Sequence, residues 1–432
     1  MNKKTKDVFV LGLALFAMFF GAGNLIFPPS LGLIAGKNWI ICAVGFFITG
    51  IGMPLLGIIA SAKAGGTIDA VGNKVGPVFS KIFSTVIILA IGPLLAIPRT
   101  GATTYEMGIK PIFSGFSPIL ASIIFFGITL FFVIKPSEIV DKIGKILTPL
   151  LLIMIFVIIF KGVSSPLGTA TISMKENPLS KGFIEGYQTL DALASLVFAG
   201  VMLSSLVGKG YKDVKEQVSL TIKAGFIASI GLGLVYGGLM YLGSSANSVY
   251  PLDTAKAELL MGITNHLLGG FGKVALGIVV ALACLTTSIG LTATVGSFFN
   301  KLSNNKLSYE LIVMATCIFS AVFANVGVEM IVKIAVPLLI TVYPVAIVLI
   351  LMNIFDEFVK DSSYLGAVIG AFLISLYDGL SVMGVDVSIL KSFIDGIPLA
   401  SFGFAWLIPA VIGGILTTLL FGKKKSNSSY AK

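Results

Sequence analysis

Two segments interrupt long apolar stretches of this sequence, and both carry groups suited to binding small ions. The first is Gly21-Ala22-Gly23-Asn24, which Pro28-Pro29 follows in the same stretch. The second is the hydroxyl row Thr286-Thr287-Ser288 in a later stretch. Carbonyl and hydroxyl oxygens can replace the water shell of a monovalent cation, and the N–H groups at a helix break attract an anion. These residue types indicate binding of a cation and an anionic group.

Each segment taken alone also has a simpler explanation. A Gly-Ala-Gly segment can be a packing kink, and hydroxyls within a helix can bond back to the carbonyls of the preceding turn. Both explanations stay open for the isolated segments. The order of the two segments along the chain favours one shared site, because a discontinuous helix and a hydroxyl cluster occur together in ion-coupled transporters.

A weaker interruption is expected near Asp191, five apolar stretches after the first. The segment Gly186–Gly200 begins the sixth stretch and contains Asp191, Ser195 and Phe198. Equivalent breaks in the first and sixth stretches predict a five-plus-five inverted repeat. The expected repeats are residues 7–160 and 189–352, and residues 364–421 form two peripheral helices of a single transmembrane domain.

The composition requires lipid as the solvent for most of the chain. The 432 residues are 56% hydrophobic and 12% charged, whereas soluble domains carry about 25% charged residues. This excludes a soluble enzyme, a disordered chain and a disulfide-knitted secreted domain. Twelve apolar stretches are near the ~20 residues that a helix needs to cross a bilayer: Asp7–Ile34, Trp39–Ser61, Val78–Pro98, Pro118–Ile134, Ile139–Phe160, Thr189–Leu206, Val218–Leu242, Val274–Phe299, Tyr309–Ala324, Met330–Met352, Tyr364–Leu380 and Phe402–Phe421.

The lysines between these stretches predict the orientation of the chain. If the N-terminus is cytoplasmic, 20 of the 30 basic residues lie in inner segments and nine in outer segments. The positive-inside rule then places both termini in the cytoplasm. Because the lysines are spread over short gaps, the net charge of +10 reflects membrane topology and no nucleic-acid partner is expected.

Three longer motifs resemble a known family. Phe20–Pro29, Gly92–Thr100 and Ala405–Pro409 are similar to segments of the bacterial branched-chain amino acid:cation symporters. The resemblance extends over nearly the whole chain. It implies a multi-pass protein of the bacterial cytoplasmic membrane that imports leucine, isoleucine and valine with Na⁺ or H⁺. It implies no enzymatic activity, no cofactor besides the coupling ion and no obligate protein partner.

A more distant resemblance, to Na⁺-coupled amino acid transporters of the LeuT-like fold, implies the site residues. The implied Na⁺ ligands are the backbone carbonyls of Ala17, Phe20 and Ala283 and the hydroxyls of Thr286 and Thr287. The implied carboxylate site is the backbone of Gly21, Ala22, Gly23 and Asn24, and the ammonium would meet carbonyls of Ser195 and Leu196. Val197, Phe198 and Ile289 are candidates for the apolar side-chain pocket. The seventh stretch lacks the Asn that would support a second cation site, so one site is carried over.

Charged residues inside apolar stretches are costly and are usually paired. Arg99, the only arginine, is expected to meet Asp191 or Glu106 in an extracellular gate or clamp. The alternative is that Arg99 extends to lipid headgroups. Glu329 and Lys333 are spaced i,i+4, so they are expected to neutralise each other on one helix face.

Other classes of membrane protein are less well supported. No phosphate-binding G-x-x-x-x-G-K-[ST] motif occurs, which argues against a nucleotide-driven pump or membrane enzyme. A channel or sensor remains an alternative, although neither a repeated pore motif nor a soluble sensor domain is visible. A transporter for another small neutral amino acid or solute is the closer alternative.

Overall fold

The apolar stretches form helices, the structure that satisfies every backbone polar group within its own segment in lipid. The computed structural model describes residues 3–134 and 138–421, with the backbone alone for residues 138–148. The α-helices within these ranges are α1 (Lys3–Phe19), α2 (Ala22–Ala35), α3 (Trp39–Phe47), α4 (Met53–Ala64), α5 (Ile68–Gly72), α6 (Pro77–Leu89), α7 (Ala96–Thr103), α8 (Pro118–Ile134), α9 (Glu138–Ser164), α10 (Pro178–Gly186), α11 (Asp191–Gly208), α12 (Val214–Ser245), α13 (Lys256–Leu302), α14 (Tyr309–Phe323), α15 (Val328–Ile354), α16 (Ser363–Val382), α17 (Ser388–Asp395) and α18 (Leu407–Phe421). Short π-helical turns occupy Ile48–Gly52, Ala90–Leu94 and Thr104–Ile109, and 3-10 turns occupy Tyr187–Thr189, Ala324–Val326 and Ala400–Phe402.

The predicted all-α membrane fold is confirmed. In the described part of the chain, eight helices are long and apolar enough to cross a bilayer, and α1 with α2 forms one further span bent by 72°. Three shorter apolar helices, Pro118–Ile134, Pro149–Ser164 and Leu407–Phe421, bring the set to the expected number of about twelve. Each stretch predicted from the sequence overlaps one of these helices.

Large apolar side chains cover much of the exterior. Ile40 is 60% exposed, Ile123 59% and Val322 71%. A soluble monomer rarely exposes extended apolar surface, whereas lipid tails solvate it at no cost. The exterior of the helices is therefore the lipid-facing surface.

The sixth span is longer than its apolar stretch. Helix α10 precedes the expected start at Thr189 and packs against α3 of the second span. A Cβ atom on Gly182 would overlap the carbonyl oxygen of Cys42, and one on Gly45 would overlap that of Leu179. Such close backbone approach is typical of helices packed within a membrane. We therefore interpret Pro178–Gly208 as one broken span, with its break at Tyr187–Leu190.

Replacing Gly182 with alanine is expected to destabilise the protein by about 1–3 kcal/mol, because overpacking forces the two backbones apart. Thermal unfolding of the purified protein measures the loss. Gly115→Ala is the matched control, since a Cβ atom there meets open space. Equal unfolding midpoints for the two variants would contradict the packing of α10 on α3.

The described residues divide into two compact units. One consists of those within Met1–Leu55, Thr85–Ala194 and Ser219–Ala335, and the other of those within Leu56–Ser84, Ser195–Val218 and Val336–Lys432. This division reflects which residues pack together, and it does not test whether the two halves of the chain are related by symmetry. The repeats expected at residues 7–160 and 189–352 remain a prediction.

One predicted ion pair is wrong. Glu329 accepts hydrogen bonds from both the backbone N–H and the Nζ of Lys256, at 2.9 and 2.7 Å. Its charge is therefore neutralised by Lys256, 73 residues away, and not by Lys333. The spacing i,i+4 makes Glu329 and Lys333 neighbours on a helix. The Glu329 carboxylate instead binds Lys256, which is distant in sequence but offers two hydrogen-bond donors.

Candidate functional site

The first span is broken between α1 and α2. Gly21 is extended, with φ −118° and ψ −167°, and its N–H donates to Asn24 Oδ1 at 3.2 Å. In a continuous helix the same N–H would donate to the carbonyl of Ala17. The break thus deprives the Ala17 carbonyl of its regular donor, and Phe20 lies in the non-helical link itself. Both are carbonyls that the sequence resemblance implied as cation ligands.

The sixth span is broken at a turn without glycine or proline. Tyr187–Thr189 form a 3-10 turn, and the buried Leu190 is left-handed with a φ of 65°. A left-handed non-glycine residue costs about 1–3 kcal/mol and persists only where its surroundings enforce it. Thr189 Oγ1 helps to hold the turn, since it donates to the Gly186 carbonyl at 3.0 Å and accepts from the Asp191 N–H at 3.3 Å.

A buried hydrogen-bond network connects these two breaks with the seventh span. Asn24 Nδ2 donates to Asp191 Oδ2 at 2.6 Å and also contacts the hydroxyl of Tyr236. The Tyr236 hydroxyl in turn donates to Asp191 Oδ2 at 3.1 Å. Asn24, Asp191 and Tyr236 are 1%, 3% and 0% exposed. Hydrogen bonds to a buried carboxylate are among the strongest in proteins. This network therefore holds the break of the first span against the break of the sixth span.

Tyr236 was not predicted from the sequence. It lies in the middle of the seventh span, α12, among apolar residues and glycines. The available signal was the chemistry of its side chain, because a buried tyrosine hydroxyl usually has a hydrogen-bond partner. That signal reveals the need for a partner but not its identity.

Arg99 also lies at both breaks. Its Nη1 donates to the backbone carbonyl of Gln188 at 2.7 Å, and its guanidinium carbon lies 5.4 Å from the centre of the Phe27 ring. Nη2 is 2.7 Å from the position that a Cβ atom on Gly23 would take. Arg99 is 4% exposed, so the alternative that it extends to lipid headgroups is wrong.

Each of the two expected acidic partners of Arg99 accepts hydrogen bonds from other groups of the same unit. Asp191 accepts from Asn24 and Tyr236. Glu106 Oε1 accepts from the backbone N–H of Val328 at 2.9 Å. This places the Glu106 carboxylate at the N-terminus of α15, where it satisfies an unpaired N–H and faces the positive end of the helix dipole. The gate role of these residues remains a prediction.

The hydroxyl row of the eighth span, α13, divides into two parts. Ser288 is buried, and its Oγ accepts from Thr129 Oγ1 of α8 at 3.3 Å. Thr286 and Thr287 are half-buried. Thr286 Oγ1 donates to the Ala283 carbonyl at 2.9 Å, as the back-bonding explanation expected.

Thr287 is the hydroxyl that lies nearest the first break. Its Oγ1 is 4.0 Å from the position of a Cβ atom on Gly21. A hydroxyl that donates to a backbone carbonyl keeps lone pairs that can coordinate a cation. The hydrogen bond from Thr286 to Ala283 is therefore compatible with Thr286 as a cation ligand. The candidate cation residues all belong to one compact unit, and Ala17, Phe20, Ala283, Thr286 and Thr287 stay predicted ligands.

The remaining candidate substrate residues have different surroundings. Ser195, Leu196, Val197 and Phe198 belong to the other compact unit and lie within the regular helix α11, beyond the break. The Leu196 carbonyl accepts from Ser61 Oγ at 2.9 Å. Ile289 packs in an apolar cluster with Val133 and Val313. The α-helix of the sixth span is therefore interrupted at Tyr187–Leu190, several residues before the carbonyls that the resemblance implied.

Solved structures with a similar arrangement of helices identify the fold. The crystal structure of MhsT in complex with L-phenylalanine is 15% identical, has a TM-score of 0.58, and the match covers 95% of this chain and 98% of MhsT. The nucleobase-cation-symport-1 family transporter Mhp1, in a closed conformation with bromovinylhydantoin bound, is 12% identical with a TM-score of 0.63 over 96% of this chain and 93% of that one. Both have the LeuT-like fold. This chain is thus a multi-pass membrane protein with the fold of that class of transporters.

The sequence also identifies the family. A model described as "Branched-chain amino acid transport protein" matches residues 4–424, and the chain belongs to this family. The branched-chain amino acid permease BraB of Bacillus subtilis is 41% identical over 434 residues, which cover 97% of each chain. The family resemblance and the LeuT-like fold predicted from the motifs are both confirmed.

Proposed function

We propose that this protein imports leucine, isoleucine and valine together with Na⁺ by alternating access, and that it is not an enzyme. The observation that carries the proposal is the convergence of two helix breaks on one buried network, beside the hydroxyl of Thr287. Broken helices at this place offer dipole ends to an amino acid and carbonyl oxygens to an ion. The names of the relatives support the substrate class.

The residues supply binding and orientation in this mechanism. Na⁺ is held by the carbonyls of Ala17, Phe20 and Ala283 and the hydroxyls of Thr286 and Thr287, which steadies the unwound backbone. That backbone then presents N–H groups to the carboxylate of the amino acid. We prefer Na⁺ to H⁺ because the proposed ligands are neutral oxygens, and we propose no further cofactor and no obligate protein partner.

The energetics of coupling are adequate for accumulation. One charge moving through 100 mV supplies about 2.3 kcal/mol, and a tenfold Na⁺ gradient adds about 1.4 kcal/mol. Together they support an accumulation ratio of about 500 for a one-to-one symporter. One methylene in an apolar pocket changes binding by only about 1–3 kcal/mol, so selectivity among the three substrates is expected to be loose.

Uptake of radiolabelled leucine into proteoliposomes tests the proposed function. An inward Na⁺ gradient is expected to drive accumulation, and unlabelled isoleucine and valine are expected to compete more strongly than alanine or phenylalanine. Accumulation driven by a pH gradient in the absence of Na⁺ would identify H⁺, and not Na⁺, as the coupling ion. Uptake that responds to neither gradient would contradict coupled transport, and stronger competition by another neutral amino acid would change the substrate.

We also propose that the protein lies in the bacterial cytoplasmic membrane with both termini inside. The proposal rests on the distribution of lysines. Several of them, Lys135, Lys142, Lys145, Lys423, Lys424, Lys425 and Lys432, have side chains outside the described residues. Reporter fusions at the C-terminus test it: activity of a cytoplasmic reporter is expected, and activity of a periplasmic reporter would contradict the orientation.

A further inference from the structure

We infer that Arg99 and Gln188 bind the charged head group of the amino acid. In this arrangement the Arg99 guanidinium takes the α-carboxylate and the side-chain oxygen of Gln188 takes the α-ammonium group. The inference rests on the proposed function, because it assigns two residues of this chain to recognition of an amino acid substrate. It reassigns Arg99 from a gate to a binding residue and adds a residue, Gln188, that the sequence did not single out.

The position of the guanidinium is the first observation. Arg99 Nη2 lies against Gly23, in the first turn of α2, where the backbone N–H groups have no acceptor within the helix. A guanidinium beside a helix N-terminus concentrates positive charge at one place, which is an environment for an anion. The planar donors of arginine match the two oxygens of a carboxylate. Phe27 and the Gln188 carbonyl hold the guanidinium from other directions.

The second observation is an unsatisfied acceptor on the neighbouring break. Gln188 is 4% exposed, and its Oε1 has no hydrogen-bond partner among the described residues. A buried polar atom without a partner costs about 1–3 kcal/mol, and a ligand group that supplies the missing donor would remove this cost. The ammonium group of an amino acid is such a donor.

The two observations concern one place in the fold. The backbone carbonyl of Gln188 accepts from Arg99 at 2.7 Å, so the residue that carries the unsatisfied amide is also the one that contacts the guanidinium. The carboxylate and ammonium of an α-amino acid are also adjacent, on one carbon atom. A cationic donor and a neutral acceptor on two residues in direct contact therefore complement the two charged groups of an amino acid. Asp191 balances charge nearby while accepting from Asn24 and Tyr236.

Displacement of radiolabelled leucine from purified protein by two analogues tests the inference. Leucinol retains the ammonium and lacks the carboxylate, and 2-hydroxy-4-methylpentanoate retains the carboxylate and lacks the ammonium. In the wild type, leucine is expected to displace the label at least about tenfold better than either analogue, the effect of one charge-assisted hydrogen bond. R99Q is expected to remove the preference over leucinol alone. Q188L is expected to remove the preference over the hydroxy acid alone.

This crossed pattern separates binding from a structural role, because a misfolded site weakens all three ligands together. R99K replaces R99Q if the glutamine variant does not fold, and a reduced preference over leucinol is again expected. The matched controls are Q217L, at a buried glutamine that donates to the Tyr211 carbonyl, and K256Q; both should keep the wild-type preferences. A wild type that does not bind leucine would contradict the proposed function. A wild type that binds leucine, with unchanged preferences in the Arg99 and Gln188 variants, would overturn this inference alone.

Discussion

Replacing Asp191 with alanine is expected to lower leucine uptake more than about a hundredfold. The change leaves the amide of Asn24 and the hydroxyl of Tyr236 buried without their shared acceptor. The Asn24 amide still contacts the Tyr236 hydroxyl, but both groups lose a charge-assisted hydrogen bond. Such a bond contributes about 1.5–3 kcal/mol, and about 3 kcal/mol already corresponds to more than a hundredfold change in an equilibrium. The cost falls on the conformation in which the first, sixth and seventh spans are joined, which is the one proposed to bind substrate.

Initial rates of uptake at matched protein density measure this effect. Asp191→Asn keeps the shape and an acceptor oxygen, so its loss should be smaller than that of Asp191→Ala. Asp253→Ala is the control, because this carboxylate is exposed in the segment between α12 and α13. Uptake by Asp191→Ala within about threefold of the wild type, less than 1 kcal/mol, would contradict a role for the network in transport.

The second large effect is expected at the cation site. Replacing Thr286 and Thr287 with valine removes two hydroxyl ligands and keeps the shape of the side chains. The Na⁺ concentration for half-maximal uptake is expected to rise at least about tenfold, since the ion loses oxygens that replace its water shell. Most of the effect is expected from Thr287, whose hydroxyl lies beside Gly21 at the first break.

Ser288→Ala provides a matched control in the same row of hydroxyls. Its hydroxyl bonds with Thr129 of α8 and not with the first break. The Na⁺ dependence of uptake should therefore stay close to that of the wild type. If the valine variants need the same Na⁺ concentration for half-maximal uptake as Ser288→Ala does, Thr286 and Thr287 are not ligands of the ion.

The spans and the first break were predictable because each has a strong local cause. Lipid requires about 20 apolar residues for a helix to cross, so apolar length alone locates most spans. The first break carries Gly21, whose extended backbone a glycine permits, whereas Gly23 and Pro28-Pro29 lie within the helix α2. The residue types at the first break could therefore be identified from the sequence, whereas its geometry required the structure.

The second break and its partners depend on tertiary contacts. Leu190 is left-handed although leucine has no preference for that conformation, so the surrounding packing imposes the turn. Helix α10 was missed because Lys181 and Glu185 interrupt its apolar pattern. Tyr236 and Gln188 are single polar residues without a characteristic spacing. Only the fold reveals what they contact.

The most direct test of the central claim is equilibrium binding of radiolabelled leucine to the purified protein, in Na⁺ and in choline. If the cation steadies the broken first span that receives the amino acid, the Kd for leucine should fall at least about tenfold in saturating Na⁺, a coupling of about 1.4 kcal/mol. The Thr286→Val, Thr287→Val double variant should lose this dependence. A Kd that is the same in Na⁺ and choline at every pH would contradict a shared site for ion and substrate.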